Sequence, residues 1–385
     1  MTPQRTEITR VAIVMRGALD VALSSGTAIA VIGLRRALAA AGVRADVFDM
    51  RTSAFARVAL RRSGGPLYDA VLGVDGAGYQ LAGAADVPFV ALVKAFYAGT
   101  LQHERPAVRL ALLLSLAIEL KGARRADAVV VPSNFAAAAV REAYGLEPDR
   151  VHVVPEPFDL GAWRAALPVR VRTGTRVLCV AHLYPRKRVA DLLDAWPLVH
   201  ARRPHARLDV VGAGPELRAL ERRGRDLPAC YLHGFTPPAA VTEFYARSDA
   251  FCLPSAQETF GYSVVEAMGS ALPVVVGDAG ALPELLRGAV GEAVPVGDVQ
   301  RLAEAVLRSL EPSNRAAAAR RNPQRARTFA PSTVAAQLLE VVRQAAQRRA
   351  AGSVARRSGW LRNSSTVARI WSLRAASESA KNPPS

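Results

Sequence analysis

The sequence predicts an α/β protein of two doubly wound domains, each a parallel sheet covered by helices on both faces. Three observations carry this. Short apolar runs recur along the chain, and most are continuous rather than alternating, as in strands buried on both faces. Amphipathic stretches of helical period lie between them. And 385 residues suffice to bury two cores.

The expected strands of the first half are Val11–Met15, Val43–Phe48, Ala70–Val74, Pro88–Val93, Ala128–Val131 and Val151–Val154. Between the first two, Ala30, Leu34, Ala37, Leu38 and Ala41 share one helical face, with Arg35 and Arg36 on the other. The stretch from Pro155 to Thr175 is rich in proline and glycine and has no strand signal, so it reads as a linker. The second set of strands is Val177–Ala181, Leu208–Val211, Cys230–His233, Ala250–Leu253 and Pro273–Val276. After the first of these, Leu192, Trp196 and Val199 line a helix. Its early Asp191 and Asp194 and late Arg202 and Arg203 complement the helix dipole.

These boundaries give an N-terminal domain over 1–165 and a C-terminal domain over 173–328. A helix over 329–347 and a basic tail over 348–385, expected to be disordered, follow. Doubly wound sheets bind ligands at the carboxyl ends of their strands, so the two domains are expected to face a common cleft.

Lys and Arg number 50 against 33 Asp and Glu, a net charge of +17 that favours a polyanionic or phosphorylated partner. The tail contributes seven arginines and Lys381 against Glu378, with Trp360, Leu361, Ile370 and Trp371 among them. That pattern suits peripheral contact with an anionic membrane. The richness in Arg and Ala is also a compositional bias, and nucleic acid is not the expected partner. Cys179, Cys230 and Cys252 have no paired spacing and read as buried thiols in a reducing compartment. The N-terminus lacks a signal-peptide pattern. The apolar run Leu110–Ile118 is about half the roughly 20 residues of a membrane span. A cytoplasmic protein, peripheral at most to the inner membrane face, is the expectation.

The chemistry concentrates in the run from Pro254 to Met268, which follows a strand and opens a helix. The amides near Phe260, Gly261 and Tyr262 are the unpaired donors of a helix start, a cradle for phosphate. Glu258 on the loop and Glu266 one turn into the helix flank that anion site. Paired carboxylates there suit a hydroxyl-rich ligand such as ribose or hexose.

This Glu-x7-Glu run, followed by Gly269-Ser270-Ala271-Leu272-Pro273, resembles the signature of the retaining GT-B glycosyltransferases, family 4 ("glycosyl transferases group 1"). The resemblance implies two Rossmann-like domains facing a cleft, with Glu258 on the donor sugar and Glu266 on the ribose hydroxyls. Further segments follow in family order. Residues 180–188 resemble a segment whose Arg and Lys neutralise the diphosphate leaving group. Lys187 keeps the Lys, His182 replaces the Arg and Arg188 replaces a Gly. A histidine titrates where an arginine does not, so Arg186 or Arg188 is the candidate for the fixed charge.

Gly212 lies in a strand end resembling the family's; Leu217 stands where a dinucleotide fingerprint needs its third glycine. His233 is open to two readings, stacking near the donor base or packing at a strand end. Gly280 to Glu284 resembles a Gly-Gly-x-Pro-Glu run with Ala281 in place of the second Gly.

In the first half, Gly26 keeps one glycine of a loop that the family places near the donor phosphate. His103, beside Glu104, is the candidate for a histidine near the anomeric carbon, although Lys94 stands closer to the usual position. The resemblance spans about 10–347 and is dense from 176 to 295.

What it implies is retaining, metal-independent transfer of a hexose-type sugar from a nucleotide-diphosphate sugar to an acceptor hydroxyl, small or lipid-linked, with no cofactor beyond the donor. No Asp-x-Asp, P-loop lysine or zinc spacing occurs. The alternative is a non-catalytic GT-B protein that binds a nucleotide or glycan as a regulatory module.

Overall fold

The computed structural model describes residues 7–16, 26–49, 67–82, 87–104, 106–169 and 172–351. The chain divides into two compact units, Met1–Pro155 with Val334–Ser385, and Glu156–Thr333. Each is built on a six-stranded sheet whose described pairings are all parallel.

In the first unit the order is β2-β1-β3-β4-β5-β6. The strands are β1 (Arg10–Met15), β2 (Arg44–Asp49), β3 (Ala70–Val74), β4 (Phe89–Leu92), β5 (Ala128–Val131) and β6 (Val151–Val153). β3, β4 and β5 are buried at every residue, which is what a sheet covered on both faces requires of Val- and Ala-rich runs. The helices are α1 (Gly26–Ala40), the short α2 (Tyr97–Thr100), α3 (Pro106–Arg125) and α4 (Asn134–Tyr144). α1 buries Ala28, Ala30, Val31, Leu34, Ala37 and Leu38, the face that its period predicts except for Ala41, which lies past the helix end and is exposed. α4 starts where the Ser133 hydroxyl accepts from the Ala136 amide, and ends on Gly145 in the left-handed region.

In the second unit the order is β12-β11-β10-β7-β8-β9. It begins with α5 (Leu160–Ala166), β7 (Arg176–Val180), α6 (Val189–Arg202), β8 (Arg207–Val211), α7 (Leu217–Gly224) and β9 (Cys230–Leu232). Then come α8 (Pro238–Arg247), β10 (Ala250–Leu253), α9 (Tyr262–Gly269), β11 (Val274–Gly277), α10 (Leu282–Leu285) and β12 (Gly291–Val294). α11 (Val299–Ser309), α12 (Pro312–Arg327) and α13 (Pro331–Ala351) complete the described helices. The order reverses beside β1 in one sheet and beside β7 in the other, the switch point where such sheets open a crevice.

The structure departs from the sequence reading in three places. β12 was not expected, because its Gly291-Glu292-Ala293-Val294 is a half-exposed edge strand with little apolar signal. The stretch expected to be a bare linker contains α5, N-capped by Asp159 through the Ala162 amide at 2.9 Å. Trp163 of α5 donates to the Ser270 hydroxyl at 2.9 Å and packs edge-on against Tyr245, so this stretch belongs to the second unit and the division falls at Pro155 rather than 165.

Third, the final helix is not an appendage. Val334, Leu338, Val342 and Ala345 of α13 are buried in one cluster with Val11, Ile13 and Leu72 of the first sheet. Arg348 and Arg349, counted with the tail, sit in its last turn and pair with Asp149 at 3.6 Å and Asp127 at 3.4 Å. Trp360, Leu361, Ile370 and Trp371 lie outside the described residues.

Candidate functional site

The carboxyl ends of β7, β8 and β10 build the densest site, all within the second unit. After β7 the chain runs back along the end of β8. Ala181 donates its amide to Val211 at 3.0 Å and Leu183 to Ala213 at 2.9 Å. This approach is why Gly212 and Gly214 are glycines. A Cβ on Gly212, at φ 135°, would stand 1.8 Å from the Ala181 carbonyl oxygen, and one on Gly214 2.6 Å from that of Leu183.

The loop then tightens into a 3-10 turn, Pro185–Lys187, closed by Arg188 in the left-handed region at φ 55°. The position at which the family resemblance expected a Gly is therefore one whose backbone favours Gly. The Arg188 guanidinium is engaged by Asp191 at 2.8 Å. That contact ties its Nε to the start of α6, and the side chain is 41 % exposed. The Arg186 guanidinium lies 5.5 Å over the Tyr184 ring, and its backbone carbonyl accepts from the Ala256 amide at 2.8 Å and from the Ser255 hydroxyl. That bond joins the β7 loop to the β10 loop. His182 is exposed, 6.5 Å from Tyr184 ring to ring.

Lys187 and Glu258 meet in a direct ion pair, with side chains only 12 % and 11 % exposed. Burial pulls the Lys187 ammonium below its ordinary pKa, while Glu258 opposes that shift. The Glu258 backbone is held from behind. Its carbonyl accepts from the Ala281 amide at 2.9 Å, and a Cβ on Gly280 would meet its backbone oxygen at 2.5 Å.

The helix that follows, α9, opens at Gly261, whose φ is 99° and which has no side-chain cap. Its first amides therefore lack an intrahelical partner, and the dipole adds positive potential there. Phe260 is buried edge-on between Tyr262 and Phe329, a packing role. The Tyr262 hydroxyl is buried with no partner among the described residues. Glu266 accepts from the Tyr245 hydroxyl at 2.8 Å, and burial pushes its carboxyl up to about 7. Tyr245 was not singled out from the sequence, because a lone tyrosine on an apolar helix carries no signal.

His233 stands at the β9 end, 2.7 Å from the fully buried Asp209, with its ring edge-on to Phe244. Arg207 also contacts that carboxylate at 3.1 Å. Of the two roles left open for His233, the structure supports packing at the strand end.

The first unit carries a second buried polar group that the sequence reading missed. Asp75 follows β3 at φ 48°, and its carboxylate accepts from the amides of Lys94 at 2.7 Å and Ala95 at 2.9 Å after β4. Glu119 of α3 is fully buried. It accepts from the Tyr97 amide and the Tyr144 hydroxyl, and its other oxygen has no partner among the described residues. Burial first, and then Asp75, pushes the Glu119 carboxyl up from 4.5 to about 8. Gly26 starts α1 with open space around it. His103 ends a 3-10 turn, Leu101–His103, and its side chain lies outside what is described.

Glu119 gives a pH prediction. Between 4.5 and about 8 the folded chain holds a proton that the unfolded chain has lost. Stability therefore falls as pH rises across that window. Glu119→Gln, neutral throughout, is expected to flatten the decline of melting temperature between about pH 5 and 8. Parallel slopes for variant and wild type, in melts at stepped pH, would refute the buried proton.

Comparisons with known proteins bear on the family and the fold. The model described as "Glycosyltransferase Family 4" matches residues 68–162, and "Glycosyl transferases group 1" matches 174–312, together well over half of the chain. The chain is 33 % identical over 187 residues to a GDP-mannose-dependent alpha-(1-6)-phosphatidylinositol monomannoside mannosyltransferase of Mycobacterium tuberculosis, covering 45 % of this chain and 47 % of that protein. It is 31 % identical over 253 residues to a D-inositol 3-phosphate glycosyltransferase of Acidothermus cellulolyticus, covering 59 % and 56 %. It thus spans about half the length of the curated relatives it matches.

Among solved structures, sucrose-phosphate synthase from Thermosynechococcus elongatus superposes with a TM-score of 0.73 at 19 % identity, over 89 % of this chain and all of that one. Anabaena Alr3699/HepE in complex with UDP and glucose gives 0.67 at 19 %, over 87 % and 99 %. At such identities the likeness speaks for the fold alone. With the two family matches falling in order along two Rossmann-like units, the chain belongs to the GT-B glycosyltransferases, the family 4 model matching mostly in its first unit and the group 1 model in its second.

Proposed function

We propose that the protein transfers a hexose-type sugar from a nucleotide-diphosphate sugar to an acceptor hydroxyl, with retention at the anomeric carbon and without a metal. The observation that carries this is the Lys187–Glu258 pair, shielded from water and tied by the β10 loop to the uncapped start of α9. Lys187 and the α9 amides supply positive charge for a departing diphosphate, the stabilisation that such a step needs most. Glu258 orients the sugar, and Glu266, steadied by Tyr245, accepts the ribose hydroxyls. The preserved pair also argues against a merely regulatory module.

The relatives' names point to a phosphoinositol-type or lipid-linked acceptor and to donors such as GDP-mannose. The Anabaena complex holds UDP, so the donor base is left to experiment. We place the reaction at the cytoplasmic side of a membrane.

Thermal unfolding with UDP, GDP and ADP tests the donor site. A nucleotide at about 100 times its Kd adds about 2.7 kcal/mol to stability. One nucleotide is expected to raise the melting temperature in wild type and to lose that effect in Glu266→Ala. An equal shift in the variant would remove Glu266 from the site. No sugar transfer from any donor of that nucleotide would overturn the enzymatic reading.

A further inference from the structure

Helix α3 carries a surface that the donor site does not explain. Leu110 is 73 % exposed, Leu114 68 % and Leu113 45 %, although apolar side chains of this size usually face a core. They are not scattered. Leu110, Leu113, Leu114 and Ala117 recur at steps of three and four, so they share one face of the helix. Continued at the same period, that face reaches Lys121, Arg124 and Arg125, all exposed.

The lone carboxylate of α3, Glu119, points the opposite way and is fully buried. The outward stripe is thus apolar in its first half, cationic in its second and free of negative charge. At 1.5 Å per residue, Leu114 and Lys121 lie about 10 Å apart along the axis. The helix is not a membrane span, since no helix among the described residues is long and apolar enough.

We propose that this face of α3 is a docking surface for an anionic phospholipid bilayer. The leucines enter the boundary of headgroup and acyl chain, to a depth of about 5–10 Å. Lys121, Arg124 and Arg125 stay at the phosphates. All three are already held in place: Lys121 lies 6.0 Å and Arg125 5.6 Å over the Tyr79 ring, and Arg124 donates to the Tyr144 carbonyl at 3.1 Å. Charge complementarity selects the bilayer as occupant: an apolar half beside an exposed cationic half matches acyl chains beside anionic headgroups, which a purely apolar protein partner does not offer. The inference is independent of sugar transfer, since vesicle binding is read without donor or acceptor.

The test is co-sedimentation of the full chain with phosphatidylcholine vesicles, with and without phosphatidylglycerol. Wild type is expected to bind the anionic vesicles at least about tenfold more tightly than the neutral ones. Leu110→Ser/Leu114→Ser is expected to lose about tenfold or more of that affinity with an unchanged melting temperature, since both side chains are exposed. Lys121→Glu/Arg125→Glu should lose the preference for anionic lipid. Trp360→Ser/Trp371→Ser in the basic tail should keep most of the binding. Wild-type affinity in the leucine variant, or complete loss in the tail variant, would overturn the assignment. So would a wild-type dimer that the leucine variant dissociates without any vesicle binding, which would make a second copy the occupant.

Discussion

Lys187→Met is expected to cut kcat by about 10²- to 10³-fold, the scale of losing one preorganised stabiliser of developing charge. The Lys187 side chain is only 12 % exposed, so water replaces its charge poorly. Arg188 already engages Asp191, and the His182 residue is exposed. Arg186 is the remaining cation of this loop, and it stacks on Tyr184.

The substitution also has a structural consequence. It leaves the Glu258 carboxylate shielded and unpaired, and breaking such a pair on one side costs more than removing both charges. The double variant Lys187→Met/Glu258→Gln should therefore melt higher than Lys187→Met alone, while remaining as inactive. Initial rates at saturating donor and melts of the four proteins close the cycle. A loss of kcat under about tenfold in Lys187→Met would mean that the leaving group draws its charge from elsewhere.

Much of this site was legible because it lies where chain pattern and chemistry coincide. The continuous runs that became β1, β5 and β10 announce strands, and a Gly-Tyr after a loop carboxylate announces the helix start that binds anions. What escaped was whatever depends on the tertiary partner. The Asp209 carboxylate meets His233 only once β8 lies beside β9. Asp75 and Glu119 are 44 residues apart along the chain, and no motif links them until Gly76 lets α3 approach. A Cβ there would meet the Glu119 backbone at 2.6 Å. The final helix was set apart because its period shows a buried face and not which core buries it; that core is the first sheet.

Gly212→Ala is expected to have the largest effect on stability. The added Cβ would stand 1.8 Å from the Ala181 carbonyl oxygen, which is backbone and cannot rotate away, and a φ of 135° is one that alanine rarely adopts. Neither side can retreat cheaply. The Gly212 amide donates to Gly234 at 2.9 Å, and the Ala181 amide donates to Val211 at 3.0 Å, so a shift breaks bonds on both sides. A cost of about 3 kcal/mol or more is expected, or a fall in melting temperature of roughly 6–12 °C for a unit of this size.

Gly26→Ala is the matched control. Nothing lies within 4 Å of its added Cβ, and it sits at a helix start, so a change of less than about 1 kcal/mol is expected. Because the strain falls on the segment that leads from β7 into the Lys187 turn, Gly212→Ala should also shrink the melting shift produced by the nucleotide. A variant that melts within about 2 °C of wild type and keeps the full nucleotide shift would show that this segment moves aside freely, and would remove the rigidity on which the placement of Lys187 depends.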